Sequence, residues 1–274
     1  MFSIKAPSNH SIAAMLLLAG LIVAEAGCAA SRPQSPVPEA MVSEARITGM
    51  DGVRAWGDAA DERFTASIVG SIRQELAYHQ AHPEVPMPKT VDILAISGGG
   101  ADGAFGAGLL CGWSEAGTRP EFKLVTGIST GALIAPWAFL GPQYDHVLRE
   151  NYTKVTGKDI FLKRGLFAIF TADGMVDSTP LRRRVEQLVT KDVLKAIATE
   201  HLRGRRLLIG TTNLDAQRPV IWDMGAIAAS GHPNALKLFR DVMIASASIP
   251  GAFPPVYVQV EAEGKPYSEM HVDG

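Results

Sequence analysis

Two strand-like segments, each followed at once by glycine and then by a helix-like segment, constrain the fold most strongly. The first is the apolar run 91–97, which leads into three glycines and a stretch of small residues. The second is the run 121–127, which ends in glycine and precedes a helical stretch from Ser129 to about Leu140. Near-continuous apolar runs of this length are typical of strands buried on both faces. The repetition predicts an α/β fold with parallel βαβ units, in which functional sites collect at the carboxyl ends of the strands.

Further helices and strands are predicted on both sides of these units. Residues 59–78 have a four-residue apolar spacing that predicts an amphipathic helix packed on the outside of the domain, with apolar side chains at Phe64, Ile68, Ile72 and Leu76. Downstream, the patterns predict helices in 178–189 and 232–248, strands at 205–214 and 219–224, and a final pair of strands around Glu263-Gly264.

The composition excludes several classes of protein. The 274-residue chain is 47% hydrophobic and 20% charged, which excludes a disordered tail and a polytopic membrane protein. Its formal net charge of −2 provides no general attraction to nucleic acid. The two cysteines, Cys28 and Cys111, allow at most one disulfide, and no Cys/His spacing is typical of a zinc site. We therefore expect no metal, no other cofactor and no nucleic-acid partner.

The amino terminus has the features of an export signal. Lys5 and His10 precede an apolar stretch, residues 12–24, which is shorter than the roughly 20 residues that a membrane-spanning helix needs. Ala26-Gly27-Cys28 is similar to the end of a bacterial lipoprotein box, although Glu25 stands where that box usually has an apolar residue. The segment predicts export to the bacterial cell envelope, with a lipid on Cys28 as membrane anchor. Simple secretion and an uncleaved anchor are the alternatives.

Gly127-Ile128-Ser129-Thr130-Gly131 matches G-x-S-x-G at the point where a predicted strand turns into a predicted helix. Such a turn holds the serine in a strained backbone conformation that presents its hydroxyl, and side chains at either end of the motif would collide across it. The motif therefore predicts Ser129 as a nucleophile, with its four neighbours as the elbow. The alternative is an ordinary glycine turn that happens to contain a serine.

A glycine-rich loop follows the first strand. Its backbone N–H groups can turn toward an anion, and the next helix adds positive potential at its N-terminus. The loop also matches the dinucleotide pattern G-x-G-x-x-G, but such a site needs an acidic residue near the end of the second strand, where residues 125–127 are Val-Thr-Gly. An oxyanion hole is therefore favoured over a nucleotide site. The loop comprises the oxyanion glycines Gly98, Gly99 and Gly100 and then Ala101, Asp102 and Gly103.

A serine nucleophile needs a general base. No histidine follows Asp273 in this sequence, in contrast to the Ser, Asp, His order of the α/β-hydrolases. His271 and Asp273 would share one face of a strand, an arrangement that rarely lets one side chain orient the other. The simplest alternative is a Ser–Asp dyad with Asp273 as the base.

Together these motifs resemble those of the patatin-like phospholipase family. The resemblance covers about residues 91–274 and rests on GGGADG, GISTG, ASASIPGAFPPV and the terminal Asp273-Gly274, in the family's order. It implies a three-layer α/β/α domain with a mainly parallel central sheet. It also implies an acyl hydrolase that cleaves fatty-acyl esters of lipids with Ser129 as nucleophile, Asp273 as base and Gly98–Gly100 as oxyanion loop, without a nucleotide. Asp102 departs from the family pattern, which usually has a basic residue there.

The expected organisation is a signal in 1–28, a proline-rich tether and helical extension in 29–90, and a patatin-like domain in 91–274. Because the family continues beyond its Asp-Gly motif, we expect this sequence to be truncated. Six apolar residues are expected either to line an acyl groove or to pack in the core: Phe161, Leu162, Phe167, Ile169, Phe170 and Met175. The alternative to an enzyme is a non-catalytic envelope lipoprotein that uses the same fold to bind lipid or a partner.

Overall fold

A seven-stranded sheet organises the chain in the computed structural model, which describes residues 32–153 and 178–274. The strands are β1 (Arg54–Trp56), β2 (Ile93–Ile96), β3 (Leu124–Gly127), β4 (Arg206–Asn213), β5 (Arg218–Asp223), β6 (Val256–Ala262) and β7 (Lys265–Val272). The main path of the sheet is β1-β5-β4-β3-β2, and β7 pairs with both β4 and β6.

Helices follow β1, β2, β3 and β5, and in the described residues none lies between β4 and β5 or between β6 and β7. The helices are α1 (Glu62–Ala81), α2 (Gly103–Glu115), α3 (Thr130–Leu140), α4 (Asp145–Leu148), α5 (Thr179–Leu188), α6 (Lys191–Leu202), α7 (Met224–Ala229) and α8 (Ala235–Ser246). Short 3-10 turns occupy Glu39–Met41, Gly100–Asp102 and Pro142–Tyr144, and a π-helical turn occupies Arg149–Thr153. Every residue of α3 is buried, which fits its almost wholly apolar sequence.

The α/β class is confirmed, but the expectation of a mainly parallel sheet needs correction. Strands β2, β3 and β4 are parallel to one another, whereas the pairings of β4 with β5, β5 with β1, β4 with β7, and β6 with β7 are antiparallel. Short connections account for two of these pairings, β4 with β5 and β6 with β7, because a parallel crossover needs about a dozen residues or more. Only Glu263 and Gly264 separate β6 from β7, and both have the positive φ that a two-residue hairpin turn requires.

The region 29–90, expected to be a tether and a helical extension, also contributes to the folded domain. Val37, Ile47 and Val53 belong to the buried hydrophobic core. Strand β1 pairs with β5 and so forms one edge of the sheet. Apolar side chains scattered through this short region account for the difference, because they bury surface against the sheet.

Helix α1 overlaps the segment that the sequence predicts, but three of its four stripe residues do not pack on the domain, and Phe64 is half-buried. Ile68, Ile72 and Leu76 are 36%, 56% and 44% exposed. The face that contacts the domain is polar: Gln74 accepts a hydrogen bond from Arg206 at 2.8 Å, and Glu75 accepts one from Lys123 at 2.7 Å.

The polarity of the underlying surface explains this orientation. Arg206 is only 3% exposed at the start of β4, and a buried guanidinium is destabilising unless acceptors surround it. The carbonyl of Ser67 and the amide oxygen of Gln74, both on α1, supply two of these acceptors. Turning the apolar stripe inward would remove them.

Two predicted features cannot be placed. The signal segment with Cys28 and the six acyl-groove candidates between Phe161 and Met175 lie outside the described residues. Of the helices in the described part of the chain, none is both long enough and apolar enough to cross a membrane.

Candidate active site

Ser129 lies between the end of β3 and the start of α3, with φ 57° and ψ −128°. A positive φ is rare for a residue with a side chain and persists only where the surroundings hold it. The two flanking glycines make the turn possible. A Cβ on Gly127 would lie 2.5 Å from the carbonyl oxygen of Gly131, and a Cβ on Gly131 would lie 2.2 Å from that of Ile96. The G-x-S-x-G segment therefore forms the sharp strand-to-helix turn that its sequence predicts.

The other two elbow residues pack on either side of this turn. Ile128 is 38% exposed and lies over β4, where a Cβ on Gly210 would be 3.0 Å from its Cγ1. Thr130 is buried and faces Gly103, whose added Cβ would be 2.4 Å from the Thr130 hydroxyl oxygen. Glycine at position 103 thus lets the start of α2 approach the start of α3.

Asp273 brings a carboxylate to the nucleophile. The Ser129 hydroxyl donates a hydrogen bond to Asp273 Oδ2 at 2.6 Å, although the two residues are 144 positions apart in the sequence. The backbone N–H of Asp273 donates to the carbonyl of Ser248 at 2.9 Å, just beyond α8. Both the side chain and the backbone of Asp273 therefore have defined partners.

The sheet topology explains why these two distant residues meet. Strand β5 occupies one edge of β4 along Leu208–Asn213, so β3 and β7 share the other edge. Strand β3 pairs with β4 as far as Ile209, and β7 takes over at Thr212. The ends of β3 and β7 consequently face each other, with Ser129 following one end and Asp273 the other.

Partial burial changes the pKa of the Asp273 carboxyl group. Removal from solvent raises the pKa of Asp273 above its ordinary value, and the hydrogen bonds from Ser129 and from the Gly274 backbone offset only part of this rise. A raised pKa makes the carboxylate a stronger base for the hydroxyl proton.

His271 does not reach the nucleophile. Its side chain is fully buried, with Nδ1 3.0 Å from the Thr211 hydroxyl and Nε2 3.1 Å from Glu269 Oε2. Burial lowers the pKa of His271, and the contacts with Glu269 offset only part of this decrease. Burial alone would raise the pKa of Glu269, but the ion pair with Arg54 and the hydrogen bond from His271 lower it to about 2. These contacts engage both ring nitrogens and give His271 a structural role.

The glycine loop lies against the nucleophile. A Cβ on Gly98 would lie 2.9 Å from the Ser129 Cβ, so no larger residue fits there. Gly99 and Gly100 have φ values of 152° and 51°, which favour glycine. In the described part of this loop, the first backbone N–H that donates within the protein is that of Asp102, to the Gly99 carbonyl. Among the described residues, no main-chain hydrogen bond donated by Gly98, Gly99 or Gly100 is found outside the strands and helices.

Asp102, the departure from the family pattern, is exposed in the 3-10 turn, while Ala101 before it is half-buried. Solvent screens an exposed carboxylate, which limits its effect on an oxyanion at the loop.

An apolar groove of about 520 Å³ begins beside Gly98 and runs between β2 and α2, past Phe105 and Leu109. In residues 32–153 and 178–274, no group of three or more His, Cys, Asp or Glu side chains is arranged to hold a metal ion.

Residues 94–274 match the sequence profile of a family described as patatin-like phospholipase. The chain belongs to the patatin-like phospholipase family. The patatin-like α/β/α fold is thereby confirmed, and family membership supports lipid acyl hydrolysis at the family level. Among solved structures, VipD from Legionella pneumophila is similar at 13% identity, with a TM-score of 0.35, over 67% of this chain and 46% of VipD. The match thus spans about half of VipD, and no curated protein matches the chain.

The sequence patterns did not point to one residue that contacts this site, Ser246. Ser246 ends α8 with its side chain fully buried, and its hydroxyl accepts a hydrogen bond from the backbone N–H of Ser129 at 3.0 Å. The only available signal was its place in the ASASIPG segment, which the resemblance includes without assigning a role to any of its serines.

Proposed function

We propose that this patatin-like protein is a serine acyl hydrolase that cleaves fatty-acyl esters of lipids through a Ser129–Asp273 dyad. The observation that carries the proposal is the 2.6 Å hydrogen bond from the Ser129 hydroxyl to Asp273, made at a backbone position with φ 57°. The glycine loop on one side of Ser129 and the apolar groove beginning at Gly98 support an acyl ester as the substrate.

The dyad can carry out both halves of ester hydrolysis. As Ser129 Oγ attacks the carbonyl carbon, Asp273 accepts the hydroxyl proton, and the N–H groups of Gly99 and Gly100 stabilise the oxygen that becomes negatively charged. The carbon–oxygen bond to the alcohol then breaks, the alcohol takes the proton from Asp273, and the acyl group stays on Ser129. Water attacks this acyl-enzyme with Asp273 as base, which releases the fatty acid and returns the proton to Ser129.

Loss of either dyad member should abolish turnover of a chromogenic fatty-acyl ester by the full-length protein. We expect Ser129→Ala and Asp273→Asn each to lower kcat by about 10³-fold or more, because each disables the same unit. His271→Gln serves as the control. Because His271 is buried in a hydrogen-bonded network, this change should lower the melting temperature while leaving much more of kcat than Asp273→Asn.

Two results would contradict the proposal. A folded His271→Gln variant as inactive as Asp273→Asn would remove the dyad assignment. Absence of turnover by the wild type on esters of any chain length would favour the alternative of a non-catalytic envelope lipoprotein that binds lipid or a partner.

We further propose that a lipid on Cys28 anchors the protein in a bacterial cell envelope. The support is the apolar stretch 12–24 followed by Ala26-Gly27-Cys28. Labelled palmitate should be incorporated by the wild type and not by Cys28→Ser. A soluble, unlabelled wild type would contradict the anchor and leave the dyad proposal unaffected.

A further inference from the structure

The hydroxyl of Ser246 bridges two backbone groups at the nucleophile. It accepts a hydrogen bond from the N–H of Ser129 at 3.0 Å and donates one to the carbonyl of Gly210 on β4 at 2.7 Å. Its side chain has no exposure to solvent. Both backbone groups are therefore satisfied by one buried side chain.

The register of the sheet shows what this bridge replaces. Gly127 lies opposite Ile209 in the parallel β3–β4 ladder. If β3 continued, the same register would direct the N–H of Ser129 at the carbonyl of Gly210. At the nucleophile the chain instead turns out of the sheet, and the Ser246 hydroxyl is inserted between these two groups. The insertion keeps the ladder bonded while the backbone adopts a positive φ.

The same end of α8 also holds the other half of the dyad. The carbonyl of Ser248 accepts the hydrogen bond from the backbone N–H of Asp273 at 2.9 Å. Residues 246–248 thus contact the backbones of both Ser129 and Asp273. The relative position of Ser129 and Asp273 determines whether the 2.6 Å hydrogen bond between their side chains forms.

We propose that Ser246 is a positioning residue that holds Ser129 in its strained conformation and, by engaging the Ser129 N–H, leaves the oxyanion to the glycine loop. The inference rests on the proposed hydrolase function. Without the hydroxyl, two buried backbone groups lose their partners, and the turn can recover a bond only by moving toward β4. Such a movement changes the position of Ser129 Oγ relative to Asp273.

The chain offers a matched control in Ser71. Both serines are buried, but the Ser71 hydroxyl donates to the carbonyl of Ile68 within its own turn of α1, at 2.6 Å. Helix α1 contributes no residue to the candidate active site. Ser246→Ala and Ser71→Ala therefore remove chemically identical groups, of which only one contacts Ser129.

The test compares the two variants of the full-length protein in ester hydrolysis, with melting temperatures measured for both. We expect Ser246→Ala to lower kcat by about 10- to 100-fold with KM little changed, because displacements of about 1 Å cost rate on this scale. Ser71→Ala should stay within about threefold of the wild type. Equal kcat values for the two folded variants, or a loss confined to KM, would overturn the proposal.

Two further arms keep the result interpretable. If Ser246→Ala does not fold, Ser246→Cys replaces it, because the thiol fills the space but is a weaker donor and acceptor. Its kcat should again fall below that of Ser71→Ala, and equality would overturn the proposal. Failure of the hydrolase function itself would look different. In that case the wild type would show no turnover that depends on Ser129.

Discussion

Helices α3 and α1 differ in how their sequences relate to their packing. Helix α3 is almost wholly apolar and buried throughout, as expected for a helix that follows a central strand. Helix α1 has a clear apolar stripe at four-residue spacing, yet most of that stripe faces solvent and the polar face packs inward. The contrast shows that periodicity locates a helix, whereas its packing face depends on the partner surface. At α1 that surface contains the buried charge of Arg206.

The largest difference in stability is expected between a glycine substitution at the start of α3 and one in α1. Gly131→Ala would place a Cβ 2.2 Å from the carbonyl oxygen of Ile96, a backbone atom that cannot move aside without breaking the sheet. We expect a loss of at least about 3 kcal/mol in the free energy of unfolding and loss of activity. Gly70→Ala in α1 meets no atom within 4 Å and should stabilise the protein by up to about 1 kcal/mol.

Urea unfolding of both glycine variants measures these changes. A Gly131→Ala protein as stable and active as the wild type would show that the elbow is less tightly packed than the structure indicates.

A smaller effect tests the orientation of α1. Gln74→Ala removes a partner of the buried Arg206 guanidinium and should cost about 1 to 2 kcal/mol in the free energy of unfolding. Ile72→Ser changes a side chain that is 56% exposed and should stay within about 0.5 kcal/mol of the wild type. If the apolar stripe packed against the domain, Ile72→Ser would be the more destabilising of the two changes. Finding that reverse order by chemical denaturation would contradict the orientation of α1.

Much of the segment around Ser129 could be predicted from the sequence because steric rules act locally there. The strand, the two glycines and the helix all follow from the requirements of one turn, and the Asp-Gly motif of the resemblance pointed to Asp273. The mixed sheet was harder to predict because β7 reaches β4 by long-range pairing. The role of Ser246 depends on the register between β3 and β4, which no local pattern encodes. The same holds for α1, whose partner Arg206 is distant in the sequence.

The pH dependence of covalent labelling tests most directly whether Asp273 acts as the base for Ser129. A fluorophosphonate should react at Ser129 alone, with Oγ displacing fluoride from phosphorus, and peptide mapping should locate the adduct. Burial raises the pKa of Asp273, so the labelling rate should increase with pH through a transition above the ordinary aspartate range of about 3.9. The free energy of unfolding should change with pH in the opposite direction to the labelling rate. Because the pKa of Asp273 is raised in the folded state, its contribution to stability is lost as pH rises through that pKa.

We predict one adduct on Ser129, a pH transition in the wild type, and slow labelling without that transition in Asp273→Asn. An adduct on another residue, or the same transition in Asp273→Asn, would contradict this prediction.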